Sequence, residues 1–194
     1  MTPPLEHALR AWMRRIGATL DSPLAEVPPL RQPQAIEPIA PALLARTFPS
    51  PKARHEMQLL YQRCLKHFRQ RVQRGAAQDD GALAAAYFVL ANLAAVQALQ
   101  PDEDDLLRVE RQMRPRLAAA WHNAPLRDRQ SAFEQFALLG VLVAESKAEA
   151  ERQGGGALAN VRQAARAYLA HGFGLDAERL RLGEEGLLVE RAVA

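Results

Sequence analysis

The sequence predicts an all-α fold: a single helical bundle around a buried central helix at 81–99, preceded by an N-terminal arm made of one helix and a proline-rich stretch. Three observations lead there. Residues 81–99 form a nineteen-residue apolar string interrupted by Asn92 and Gln97, and eight of those positions are alanine. Ten of the thirteen prolines fall within residues 1–51, and none follows Pro125, so the first quarter and the rest are different kinds of polymer. No segment keeps a period-2 alternation of apolar and polar residues long enough to define a strand.

A helix that is apolar on every side has to be wrapped by other helices or by lipid. About 20 apolar residues also span a bilayer core. Here the alanines favour close helix–helix approach, and acids flank both ends, Asp79-Asp80 before and Asp102-Glu103-Asp104-Asp105 after. No Lys or Arg cluster stands beside the string to orient it in a membrane. The string is therefore read as a core helix, with no transmembrane span. Asn92 then lies in the core, where an unpaired amide costs about 1–3 kcal/mol.

The remaining elements follow in chain order. Leu5, Leu9, Trp12, Met13, Ile16 and Leu20 recur at helical spacing, so residues 4–20 are expected to form an amphipathic helix with Arg10, Arg14 and Arg15 off its apolar stripe. Prolines from 23 to 51 forbid long regular structure beyond a short turn at 42–46. Residues 1–51 are taken as the arm and 52–194 as the bundle. Ser50-Pro51 is an N-cap followed by proline at the first helical position. It opens a helix to about residue 74 with Met57, Leu60, Tyr61, Cys64, Leu65, Phe68 and Val72 on one face. The acids 102–105 start the helix after the core string, with a stripe of Leu106, Val109, Met113 and Leu117 that Pro115 is expected to kink or split. A helix at 126–153 carries Phe133, Phe136, Ala137, Gly140, Val141 and Ala144, and Gly154-Gly155-Gly156 stops it. The last helix, 157–171, has Gly172 at its C′ position. An Asp176-capped turn and a terminal stretch at 180–188 follow.

Composition bounds the setting. At 194 residues the chain is large enough to bury a core without staples, and its single cysteine, Cys64, excludes an internal disulfide framework. Arginine outnumbers lysine 22 to 3 and alanine is abundant, a mark of a GC-rich bacterial genome rather than of a function. The N-terminus has an amphipathic pattern in place of an unbroken apolar export segment. The location is expected to be cytoplasmic if the chain is complete and periplasmic if an export signal has been removed. Net charge is +3, but residues 1–75 carry 12 basic and 5 acidic side chains (+7) while residues 76–110 carry 1 and 7 (−6). Such segregation steers partners more than it sets folds.

The chemistry-bearing patterns are mostly missing. The sequence has no phosphate-binding GxxxxGK[ST], no GxSxG, no HExxH and no SxxK, and none of its fourteen glutamates has a histidine three residues on. Gly172-Phe-Gly174-Leu-Asp-Ala177 fits a loose dinucleotide pattern but follows a helix rather than a strand, and reads as a helix cap. Cys64 and His67 lie one turn apart, yet two ligands do not make a metal site and Cys64 falls on the core stripe. No cofactor is expected, and the chain is expected not to be an enzyme. Lys52, Arg54, His55, Arg63, Lys66, His67, Arg69, Arg71 and Arg74 form a basic helix that would have to track phosphates, but they spread over more than half its circumference without interleaved aromatics.

Asn92-Leu93, Asp128-Arg129-Gln130, Ala164-Ala165-Arg166-Ala167-Tyr168-Leu169, Gly174-Leu175-Asp176, Leu180-Arg181-Leu182 and Gly186-Leu187 together make residues 45–188 resemble an uncharacterised family of bacterial all-helical proteins, a domain of unknown function. The resemblance implies an all-helical fold and a bacterial, envelope-type setting, and brings no catalytic residues. The expected function is protein–protein contact: an immunity-type or escort protein that binds and neutralises or holds a toxin or secreted effector. Trp12, Met13, Arg14, Arg63, Lys66 and Arg74 are the expected contact residues, with homodimerisation through the arm as a second use of the first helix. Nucleic-acid binding through residues 52–74 is the alternative, and an unrecognised enzyme the third.

Overall fold

The computed structural model describes residues 27–31, 37–72, 79–154 and 156–190. Its elements are α1 (Ala40–Ala45), α2 (Pro51–His67), α3 (Gly81–Gln97), α4 (Glu103–Asn123), α5 (Leu126–Gln153), α6 (Gly156–Ala167), and a hairpin of β1 (Leu180–Gly183) and β2 (Gly186–Val189). The fold is mainly all-α, and none of its described helices is long and apolar enough to cross a membrane. The expected helix 4–20 lies outside the described residues.

α3 forms because Asp80 caps it, its carboxylate accepting from Ala82 N (2.8 Å) and Leu83 N (3.3 Å). Every residue from Gly81 to Val96 except Tyr87 is buried. The helix ends two residues earlier than the apolar string because Ala98 turns into the left-handed region at φ 57°. α5 packs most extensively against α3, and Gly140 makes that approach feasible: a Cβ there would stand 2.8 Å from Tyr87 Cδ1 and 3.1 Å from Phe88 Cα. Tilted and edge-on ring pairs, Phe88 with Phe136 and Phe68 with Phe133, stitch the interfaces.

α4 opens with a capping box, Asp102 and Asp105 each accepting from the other's backbone N–H. Of the kink or split expected at Pro115, the split does not occur: the helix runs through to Asn123. Val109 and Met113 before the proline, with Leu117 and Trp121 after it, are all fully buried. Their packing outweighs the roughly 3 kcal/mol that an interior proline costs. α2 and α6 each pass into a π-helical turn, Phe68–Val72 and Tyr168–Phe173. The second turn carries the chain beyond Gly172, so the left-handed C-terminal glycine is Gly174 at φ 64°.

The terminal stretch is the main departure from the all-helical expectation. Leu180 pairs with Val189 and Gly183 with Gly186 in an antiparallel hairpin. An isolated two-stranded hairpin is marginal at best in water. Here two glutamine side chains hold it to the helices. Gln112 of α4 accepts from Leu187 N (2.8 Å) and donates to Leu187 O (2.7 Å), so its amide acts as a third strand's peptide. Gln97 at the end of α3 donates to Ala177 O and Leu180 O.

The boundary at residue 51 needs correcting. The described parts of the proline-rich stretch belong to the body: Leu30 and Ala40 lie in the core. Gly81 N donates to Leu30 O (3.0 Å) beside an Arg31–Asp80 bridge. The fully buried Glu134 of α5 accepts from Ile39 N and Ala40 N, both at 2.8 Å, satisfying the open end of α1. Prolines rule out regular structure here, and these carboxylate and backbone bonds replace it.

Trp121 lies against Gly81, where an added Cβ would come within 2.3 Å of the indole. Gly81→Ala is therefore expected to lower unfolding free energy by about 1–3 kcal/mol, the usual cost of overpacking, as read by urea denaturation. Wild-type stability in that variant would show the contact to be soft.

Candidate functional site

α2 divides sharply into two faces. Tyr61, Cys64, Leu65 and Phe68 are buried against the bundle, which fixes the helix about its own axis. On the opposite side Leu59 is 46% exposed, and Arg63 and Lys66 follow it at i+4 and i+7 on the same line of the helix. Among the described residues neither cation forms an ion pair or a hydrogen bond.

Lys52, Arg54, His67 and, just beyond the helix, Arg69 are already engaged. Lys52 pairs with Glu56 at 3.9 Å. Arg54 caps the preceding loop, donating to Phe48 O (2.8 Å) and Pro49 O (3.1 Å). Arg69 turns inward, 3.1 Å from Asp79 and 5.7 Å from the centre of the Phe133 ring. His67 Nδ1 is 2.6 Å from Glu145 Oε1. Of the expected contact residues, the structure thus brings together Arg63 and Lys66. Trp12, Met13, Arg14 and Arg74 lie outside the described residues, as does the Arg71 side chain.

The chemistry available nearby is limited. Cys64 is 1% exposed, and burial, reinforced by the negative charge of Glu145, pushes its thiol up to about 11 against the weaker pull of Arg63. A thiol held that high is a poor nucleophile at neutral pH. His67, the residue that would have shared a metal with it, is engaged by Glu145 instead. Among the described residues no three His, Cys, Asp or Glu side chains converge to hold a metal ion.

A buried acidic knot at the start of α3 went unrecognised in the sequence. Asp79, Asp80 and Glu110 are all buried. Arg114 bonds Glu110 and reaches Asp80 at 3.5 Å, and Arg69 holds Asp79. The signal was present in the pattern, since Glu110 stands at the i+4 position between Leu106 and Met113, where a stripe residue would be apolar. Burial raises the Glu110 carboxyl above the ordinary range, with the Asp80 charge adding and Arg114 opposing.

A family model described as a family of unknown function (DUF6683) matches residues 32–190. Comparison with curated proteins and with solved structures gave no match.

Two outcomes follow from this geometry. The native protein at pH 8 should leave Cys64 unreacted with a disulfide reagent over minutes, and urea should release one thiol. Rapid native labelling would place the thiol at the surface. For Glu110, a folded-state affinity for protons above that of the unfolded chain means that stability falls as pH rises through and beyond the ordinary carboxyl range. Glu110→Gln, which cannot ionise, should therefore gain stability relative to wild type as pH is raised from about 4 to 7. Parallel pH–stability curves would remove the desolvation argument.

Proposed function

This chain belongs to the DUF6683 family, a family of unknown function, and we propose that it acts by binding another protein, without turnover, through the outward face of α2. The observation that carries this is Arg63 and Lys66 standing unpaired among the described residues behind the exposed Leu59, on a helix whose opposite face is locked into the core. A free cation on a rigid helix retains its full attraction for an acidic partner. An exposed leucine between solvated charges gives that partner an apolar contact to bury. Charges in such positions chiefly set association rate and salt sensitivity, while the apolar residue sets residence time.

The partner is thus an acidic protein with a shallow apolar depression. Within that class we favour a bacterial immunity-type or escort role, in which the chain holds or neutralises a toxin or secreted effector. The buried thiol and, among the described residues, the lack of a three-ligand metal cluster support a holding role. Nucleic acid is the second reading, because the same two cations would serve phosphates. It is weaker: Lys52, Arg54 and Arg69 are bonded elsewhere, and specific nucleic-acid complexes commonly neutralise about 6–10 phosphates.

Affinity capture with the full chain from nuclease-treated lysate of its own cell tests the reading. The wild type should retain one stoichiometric acidic protein, less of it as salt rises. The triple change Leu59→Asp, Arg63→Glu, Lys66→Glu should lose that protein while keeping the wild-type melting temperature, since all three side chains are exposed. Equal recovery by the folded variant, or no stoichiometric protein with wild type, would overturn it.

A further inference from the structure

A crevice of about 270 Å³ runs between α3, the start of α4 and the outer half of α5. Its floor is Leu90, Ala91 and Ala94, and its walls include Leu99, Ala144 and Ala148. Alanines make it concave: where two helices meet with only methyl groups, a gap remains that side chains from elsewhere can fill. The rim is acidic. Asp102 lies at one edge, while at the other Lys147 and Glu151 pair at 2.8 Å and cancel, so the negative charge gathers at the start of α4. Glu103 and Asp104, both exposed, extend the negative edge along α4.

The volume falls just below the roughly 300–1,000 Å³ of small-molecule pockets, and suits one or two large side chains instead. The chain itself carries a matching segment. Residues 5–20 have an apolar stripe of Leu5, Leu9, Trp12, Met13, Ile16 and Leu20 beside Arg10, Arg14 and Arg15, with Glu6 as the single acid. Apolar floor faces apolar stripe, and an acidic rim faces basic flanks. Reach is sufficient. The described chain resumes at Val27, packed against the core, and Leu30 O accepts from Gly81 N at the start of α3. From Gly81 to Leu90 along α3 is about 14 Å at 1.5 Å per residue. The six residues 21–26 span up to about 20 Å when extended.

We propose that residues 5–20 of the same chain dock over this crevice, with Trp12 as the side chain that fills it and the three arginines against Asp102, Glu103 and Asp104 at the start of α4. The inference is independent of the α2 reading, because the two surfaces share no residue.

The chain has two tryptophans, and Trp121 is buried, so Trp12 is isolated as the difference between wild type and Trp12→Phe. On the full chain that difference emission should be blue-shifted and several-fold less quenched by acrylamide than a free indole. Ala148→Arg, at an exposed position on the crevice wall, should shift it to the red and remove the protection. Trp121 emission, read in the Trp12→Phe background, should stay unchanged as proof of fold. Ala144→Arg serves as a second block should the first disturb the helix. A red, freely quenched Trp12 in wild type would overturn the proposal. So would protection indifferent to both blocks. Protection that disappears on dilution, together with a doubled gel-filtration mass, would assign the crevice to the segment of a second copy and equally overturn it.

Discussion

α3 has no polar face, and that single fact organises the molecule. A helix of this kind cannot lie on a surface, so it has to be enclosed, and α4, α5 and α6 provide the enclosure, with the Phe68 ring of the π-turn after α2 edge-on to Tyr87. Because α3 offers mainly alanine, the surrounding helices can come to near backbone contact, as α5 does at Gly140 and the Trp121 ring does at Gly81. Larger residues at those two glycines would push the layer outward and leave voids, which a close-packed interior tolerates poorly.

Several of the polar groups admitted to this core serve backbone. Asp80 caps α3, Glu134 closes the start of α1, Gln112 completes the hairpin and Gln97 secures the chain just before it. Each replaces a hydrogen bond that irregular backbone would otherwise lack, so the polar residues mark where the chain stops being regular. Asn92 differs. Its amide donates back to Phe88 O at 2.7 Å, while its Oδ1 has no partner among the described residues. The outward face of α2 stands apart from this accounting, since Arg63 and Lys66 form no ion pair or hydrogen bond among the described residues. Their place beside the exposed Leu59, on a helix whose other face is fixed in the core, is the physical basis for assigning them to a partner.

Helix positions were legible because the caps and stripes are strong: Ser50-Pro51, Asp80, the 102–105 acids and the glycines after 153 all mark boundaries within a residue or two. Burial of Cys64 and Asn92 was legible for the same reason. The hairpin was not, because strands of four residues, Leu180–Gly183 and Gly186–Val189, are too short to show an alternation, and their support comes from Gln112, 75 residues away. Pro115 misled because a local penalty was weighed without the four core side chains around it. The proline-rich stretch misled likewise, since Glu134 and the Arg31–Asp80 bridge are long-range partners that no local pattern encodes. At the candidate site, charge type was visible, but which cations were free depended on tertiary partners: Arg69 and Arg63 look alike in sequence, and only one of them faces Asp79.

Native-state hydrogen exchange on the full chain tests the central claim most directly. If α3 is the enclosed element on which the other layers depend, the amides of residues 85–96 will exchange only through global unfolding, with free energies equal to that from urea denaturation. α6 and the hairpin, at the periphery, will open at lower free energy. Exchange from α3 at a lower free energy than from α5, or at the same low level as the hairpin, would contradict the account.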